Sequence, residues 1–180
     1  ADCTTAYEKI SAITEFVAKE IYYDYDYYED RTTTLFYETY EVWTNKRTVC
    51  EGYARLTKEF LNLINIPCMC IRASNHLYNS AYDVENDRWI YLDTTWCSGN
   101  KYKYEEFISG SYKPSRFDMS LETLASLSNH EVYGLSGIVF DDIKYAIETP
   151  KDATDWSNLD EWKICVAGVT DDFDSTVVDI

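Results

Sequence analysis

Glycine and proline are scarce in this chain: 6 and 3 among 180 residues, where ordinary usage of about 7% and 5% would supply roughly 13 and 9. So few turn formers argue against an all-β fold of many tight turns. Long helices with a modest sheet are expected instead. Basic residues are few as well, 16 against 32 acidic ones, for a net charge of −16. Like charges repel, so neither nucleic acid nor an anionic membrane is expected as a partner. The acidity suits basic substrates or plain solubility, and solubility is the simpler account. No apolar run reaches about 18 residues, so no membrane-inserted helix is expected. No secretory leader pattern is present, and a start at Ala1-Asp2-Cys3 without methionine reads as a processed or trimmed product. Internal repeats, low-complexity segments, phosphate-binding glycine loops and EF-hand loops are all missing.

What is present is a cysteine, a histidine and an aspartate, each on an element suited to thiol chemistry. Thr48 and Glu51 read as a T-x-x-E capping box, with Thr48 as N-cap and Cys50 at the second helical position. Ala54, Leu61 and Ile64 form one apolar stripe, and Tyr53, Leu56, Phe60 and Leu63 a second beside it. Two adjoining stripes predict a helix buried on most of its girth, ending before Pro67. Free N–H groups at a helix start stabilise an anion, and the thiolate is the form of cysteine that attacks. Gly52 costs about 1 kcal/mol relative to alanine in a helix, so another element is expected to pack closely against the backbone there. The plain alternative for Cys50 is a buried cysteine acting as a small hydrophobe.

Cys68–Ala73 reads as a strand, Ser74-Asn75 as a turn, and His76–Asp83 and Arg88–Asp93 as two strands joined by Val84-Glu85-Asn86-Asp87. A four-residue hairpin loop pairs Asp83 with Arg88 and, counting outward, Tyr78 with Asp93. His76 then shares a face with Asp93 as its diagonal neighbour, about 7–8 Å away, a gap that an imidazole and a carboxylate can close. A slip of one residue would put them on opposite faces. A lone histidine here would more simply be structural; the register and the helix-borne cysteine favour a site.

Three segments now stand in order: Val49-Cys50-Glu51-Gly52-Tyr53-Ala54, His76-Leu77-Tyr78-Asn79 and Asp93-Thr94-Thr95-Trp96. The chain resembles the transglutaminase-like superfamily, a papain-related group whose bacterial members carry V-C-x-G-Y-A, H-x-W-N and D-x-T-W. Tyr78 stands where the tryptophan is usual. Tyr23-Asp24-Tyr25-Asp26-Tyr27 matches a Y-D-Y-D-like stretch after the family's first helix, and Tyr40 matches a tyrosine ten residues before its cysteine. The likeness runs from about Tyr7 to Leu127. It implies an α+β fold of the cysteine-protease or transglutaminase-core kind, with the cysteine helix packed on an antiparallel sheet, and a Cys50–His76–Asp93 catalytic triad. The expected organisation is a transglutaminase-like catalytic domain over 1–130 and an extension over 131–180 that completes it or begins a further module.

The expected activity is acyl transfer on a peptide or glutamine amide through a Cys50 thioester, resolved by water or by a lysine amine. His76 would move the proton and Asp93 would hold the imidazole. The Cys50 N–H, and more weakly the Tyr40 hydroxyl, would receive the oxyanion. The expected partner is a protein or peptide, the expected state a monomer, and the expected location extracellular or at the cell surface of a bacterium. A non-catalytic binding or scaffold domain of a bacterial surface protein is the alternative, and an intact triad counts against it. A free Cys50 would leave five of six cysteines, which argues against a complete disulfide framework. Cys68 and Cys70 fall on one face of a strand and read as core rather than, with Cys97, as metal ligands; no metal or cofactor is expected.

Elsewhere, Thr5 and Glu8 form another capping box, opening a helix with Ile10, Ile13, Val17 and Ile21 on its apolar face. Tyr22–Tyr28 reads as irregular structure with rings on the core, or else as a substrate-facing rim. Helices are expected over Leu35–Trp43 and Leu121–Leu127. His130 lacks a strand context or partner carboxylate that would recommend it. From Tyr133 onward no clean period is visible.

Overall fold

A computed structural model describes residues 3–73, 75–99, 110–127 and 130. Helix α1 (Ala6–Glu20) starts on its capping box: the Glu8 N–H donates to Thr5 Oγ1, and the Thr5 N–H donates to the Glu8 carboxylate. The stretch expected to be irregular over Tyr22–Tyr28 holds two elements, strand β1 (Tyr22–Tyr23) and helix α2 (Tyr25–Asp30). Asp24 makes the difference. Its carboxylate caps α2 by accepting from the Tyr27 N–H, accepts the Thr33 hydroxyl, and lies 3.6 Å from the Arg47 guanidinium. The helix expected over Leu35–Trp43 is α3 (Thr39–Asn45), which closes on Lys46 at φ 57°.

Strand β2 (Arg47–Thr48) pairs in parallel with β1, Tyr22 with Arg47 and Tyr23 with Thr48. Helix α4 (Cys50–Leu63) follows, then the antiparallel sheet of β3 (Cys68–Arg72), β4 (Leu77–Asp83) and β5 (Arg88–Leu92), in that order. A short helix α5 (Thr94–Cys97), a 3-10 turn (Pro114–Arg116) and α6 (Leu121–Ser126) complete the described elements.

The result is an α+β fold in which α4 contacts α1 and also packs on β3 and β4. Ile10 of α1, Leu61 of α4, and Ala81, Ile90 and Leu92 of the sheet share one core, and Val17, Ile21, Val42, Tyr53 and Leu56 a second. Burying each large aliphatic side chain is worth about 1.5–3 kcal/mol. A polar contact inside that packing ties helix to sheet: the Asn79 amide on β4 donates to the Ala54 carbonyl of α4 at 3.0 Å and to the Met69 carbonyl of β3 at 3.3 Å. Cys68 and Cys70 are buried in the core. Burial pushes the Cys68 thiol well up and the Cys97 thiol up to about 12. Among the described residues, no helix is long and apolar enough to cross a membrane. The extension expected over 131–180 lies outside the described residues.

Candidate active site

Cys50 is the first residue of α4, one position earlier than the capping-box reading places it. Val49 is the N-cap, with extended backbone and no side-chain hydrogen bond. Thr48 cannot cap the helix because it belongs to β2, where its hydroxyl donates to the Phe36 carbonyl. Glu51 does not reach back either; its carboxylate accepts from Arg55 one turn later, at 3.0 Å. The move brings Cys50 closer to the orphan N–H groups of the helix start. The close neighbour expected at Gly52 is Thr48: a Cβ at Gly52 would lie 2.1 Å from Thr48 Oγ1.

The hairpin register is the one its loop length implies, from Asp83 opposite Arg88 to Asn79 opposite Leu92. One step further sets Tyr78 against Asp93. His76, just ahead of β4, places Nε2 2.5 Å from Asp93 Oδ2 and also interacts with the Cys50 side chain. A carboxylate only accepts, so the proton on this bond sits on His76 Nε2 and leaves Nδ1 for Cys50. Asp93 is fully buried. Its Oδ1 accepts the Trp96 N–H at 3.1 Å, capping α5. Burial of the His76 ring opposes its protonation. The hydrogen bonds and negative charges of Asp93 and Cys50 outweigh that, and its pKa rises to about 10. In Asp93, burial favours the neutral acid, but hydrogen bonds from His130 and His76 prevail and hold the carboxyl below its ordinary range.

His130 has the partner carboxylate that its surroundings in sequence do not offer. Its Nε2 lies 2.7 Å from Asp93 Oδ2, the same oxygen that His76 uses, and the residue is 1% exposed. Its ring packs among those of His76, Tyr78 and Trp96, at centroid distances of 4.9, 5.1 and 5.9 Å. His76, Asp93 and His130 are also the grouping with metal-ligand chemistry among the described residues. Their N···O separations of 2.5 and 2.7 Å are those of hydrogen bonds. Two ligands of one tetrahedral zinc would stand roughly 3.3 Å apart, given Zn–N bonds of ~2.0–2.1 Å.

Tyr40 is not brought to this cluster. It lies in α3, which turns Val42 into the core and leaves Tyr40 80% exposed. Tyr23 takes the nearby position, because pairing of β1 with β2 sets it opposite Thr48, two residues from Cys50. Burial and then the charge of Cys50 push its phenol upward. A cleft of about 900 Å³ opens over the site, lined by Tyr23, Tyr25, Tyr28, Cys50, His76 and Trp96 among others. The tyrosine-rich stretch therefore supplies rim residues, Tyr23 from β1 and Tyr25 and Tyr28 from the Asp24-capped helix α2.

The sequence profile of the transglutaminase-like superfamily matches residues 1–94, a span that holds Cys50, His76 and Asp93. No curated protein sequence matches the chain. Among solved structures, a TGase crystal structure is 18% identical, with a TM-score of 0.44 over 56% of this chain and 29% of that one. A candidate cysteine protease from Cytophaga hutchinsonii is 19% identical, with a TM-score of 0.39 over 59% of this chain and 35% of that one. The chain thus spans about a third of the length of either structure.

Proposed function

The chain belongs to the transglutaminase-like superfamily, and on that premise we propose that it is an enzyme of thiol-dependent acyl transfer acting on peptide or glutamine amides. The observation that carries this reading is that Cys50 and His76 line one open cleft and His76 is hydrogen-bonded to the buried Asp93. A raised His76 basicity favours the imidazolium at neutral pH, the partner a thiolate needs. The Cys50 sulfur attacks the amide carbonyl, and the oxyanion forms beside the N–H groups of the α4 start, the Cys50 N–H foremost. His76 delivers its proton to the leaving amine as the C–N bond breaks, and the thioester remains. Water or a primary amine then adds to the thioester, returns its proton to His76 and frees the Cys50 thiolate. Asp93 holds the imidazole in the tautomer that this exchange requires.

The aromatic rim suits an extended peptide better than a small metabolite, since tyrosines offer rigid, amphipathic contact area. Incubation with glutamine peptides, with and without a fluorescent primary amine, tests the reading. Product formation that Cys50→Ala abolishes, with an acyl adduct mapped to Cys50, is expected. Turnover that persists in Cys50→Ala would sink it. A protein that binds such peptides tightly and never acylates would be the non-catalytic scaffold instead.

A further inference from the structure

We propose that His130 is a positioning residue of this site, fixing the Asp93 carboxylate so that Asp93 can in turn fix His76. The proposal rests on the function above only where it concerns Cys50 reactivity. Its geometric basis is the shared oxygen. Asp93 Oδ2 receives His76 Nε2 at 2.5 Å and His130 Nε2 at 2.7 Å, while Oδ1 receives the Trp96 N–H at 3.1 Å. Because a carboxylate only accepts, His130 also carries its proton on Nε2. A fully buried carboxylate is costly unless several donors satisfy it. The Trp96 amide and a single imidazole would leave Oδ2 with one donor, and that donor is the ring that has to exchange protons.

A histidine that merely filled space could direct its nitrogens anywhere. His130 directs one to the atom that orients His76, and its ring lies against the His76 ring at 4.9 Å. Any shift of His130 is therefore passed to the His76–Asp93 bond. The groups that feel the Asp93 charge are His76 ahead of β4, His130, Tyr23 on β1 and Cys97 on α5, with Cys50 beyond His76. Removing the His130 donor takes away an interaction that favours the carboxylate. Asp93 then takes up its proton at a higher pH, and its support for the imidazolium is lost earlier on acidification.

The test compares His130→Leu, which fills the space without a donor, with His130→Gln, whose amide N–H restores one. If His130→Leu does not fold, His130→Phe keeps a ring and still lacks the donor. The first readout is a ¹³C NMR titration of the Asp93 side-chain carboxyl in the full chain. Its midpoint should rise by about one pH unit or more in the donorless variant and return towards wild type in His130→Gln. The second is the pH dependence of Cys50 alkylation by iodoacetamide, whose acid limb should move upward in parallel while the alkaline plateau stays unchanged. An Asp93 midpoint that does not rise, or one that rises equally in both variants, overturns the proposal. So does a uniform fall in alkylation at every pH, which a purely structural histidine would produce. If wild-type Cys50 alkylates no faster than Cys3 while the Asp93 midpoints behave as expected, the enzymatic reading fails and the positioning role stands.

Discussion

Asp93 divides its work between two oxygens: Oδ1 starts α5 by accepting the Trp96 N–H, and Oδ2 accepts from His76 and His130. Replacing it with Asn keeps the shape but sets an amide donor or a weaker acceptor against the His76 N–H. In a serine triad the equivalent change lowers turnover by ~10⁴ by favouring the wrong imidazole tautomer. Asp93→Asn should therefore cut turnover by three to four orders of magnitude (roughly, by that analogy), whereas Glu59→Gln on the exposed side of α4 should leave it intact. Steady-state kinetics of the two variants decide this. The pH dependence follows from His76. Its folded value of about 10 lies above the ordinary value of ~6.5, so its protonated form stabilises the fold. That stabilisation is complete below pH ~6.5 and fades as the pH rises through about 10. Asp93, shifted down, contributes in the opposite sense: its share is present above the ordinary carboxylate value and is lost only in acid. Both describe one interaction and count once. Urea denaturation from pH 7 to 11 should show wild type losing its advantage over Asp93→Asn as His76 deprotonates. An advantage that is constant over that range would contradict the assignment.

At the scale of elements, the start of α4 depends on a strand rather than on a capping side chain. Thr48 is buried, its hydroxyl is committed to the Phe36 carbonyl, and its side chain occupies the space a Cβ at Gly52 would need. Two effects compete in Gly52→Ala. Helix propensity favours alanine by about 1 kcal/mol. Against it stands a 2.1 Å clash with a side chain that cannot swing away, and overpacking of this kind costs typically 1–3 kcal/mol or more. The clash wins. Chemical denaturation should show Gly52→Ala less stable than wild type, by up to about 2 kcal/mol, the upper end of overpacking less the gain in propensity. Cys50 alkylation should change as well, because the displaced residues flank it. A stabilised variant would show that Thr48 yields more easily than its contacts imply.

For the whole molecule, the net charge of −16 works against compaction, since like charges are brought together on folding. The screening length falls from about 10 Å at 0.1 M salt to about 3 Å at 1 M. Repulsion between surface carboxylates is screened over that range, while the buried His76–Asp93 pair is not. Thermal denaturation should therefore show Tm rising with sodium chloride, by roughly 2–4 °C for each ~1 kcal/mol of repulsion relieved. A fall in Tm would mean that surface ion pairs such as Arg88–Asp118, at 2.7 Å, outweigh the net repulsion.

Much of this was legible in the residues because the forces involved are local. The Thr5–Glu8 box starts α1 through contacts three residues apart, and the apolar stripes of α4 bury Tyr53, Ala54, Leu56 and Leu61, while Leu63 and Ile64, expected on the same stripes, stay exposed where the helix ends. A four-residue loop sets the hairpin register, and that register carries His76 to Asp93 across only 17 positions. Two segments depart from what their local pattern implies, Thr48–Glu51 and Tyr22–Tyr28, and each does so where a side chain finds a distant partner. Thr48 gave its hydroxyl to Phe36, and Asp24 drew in Thr33 and Arg47. Tyr40 and Tyr23 are chemically alike, and only the pairing of β1 with β2 decided which lies beside Cys50. His130 is the extreme case, reaching Asp93 from 37 residues away. Such contacts leave no period or spacing in the chain, because they form only once the core has closed and the surrounding packing has met the entropic cost of joining distant segments.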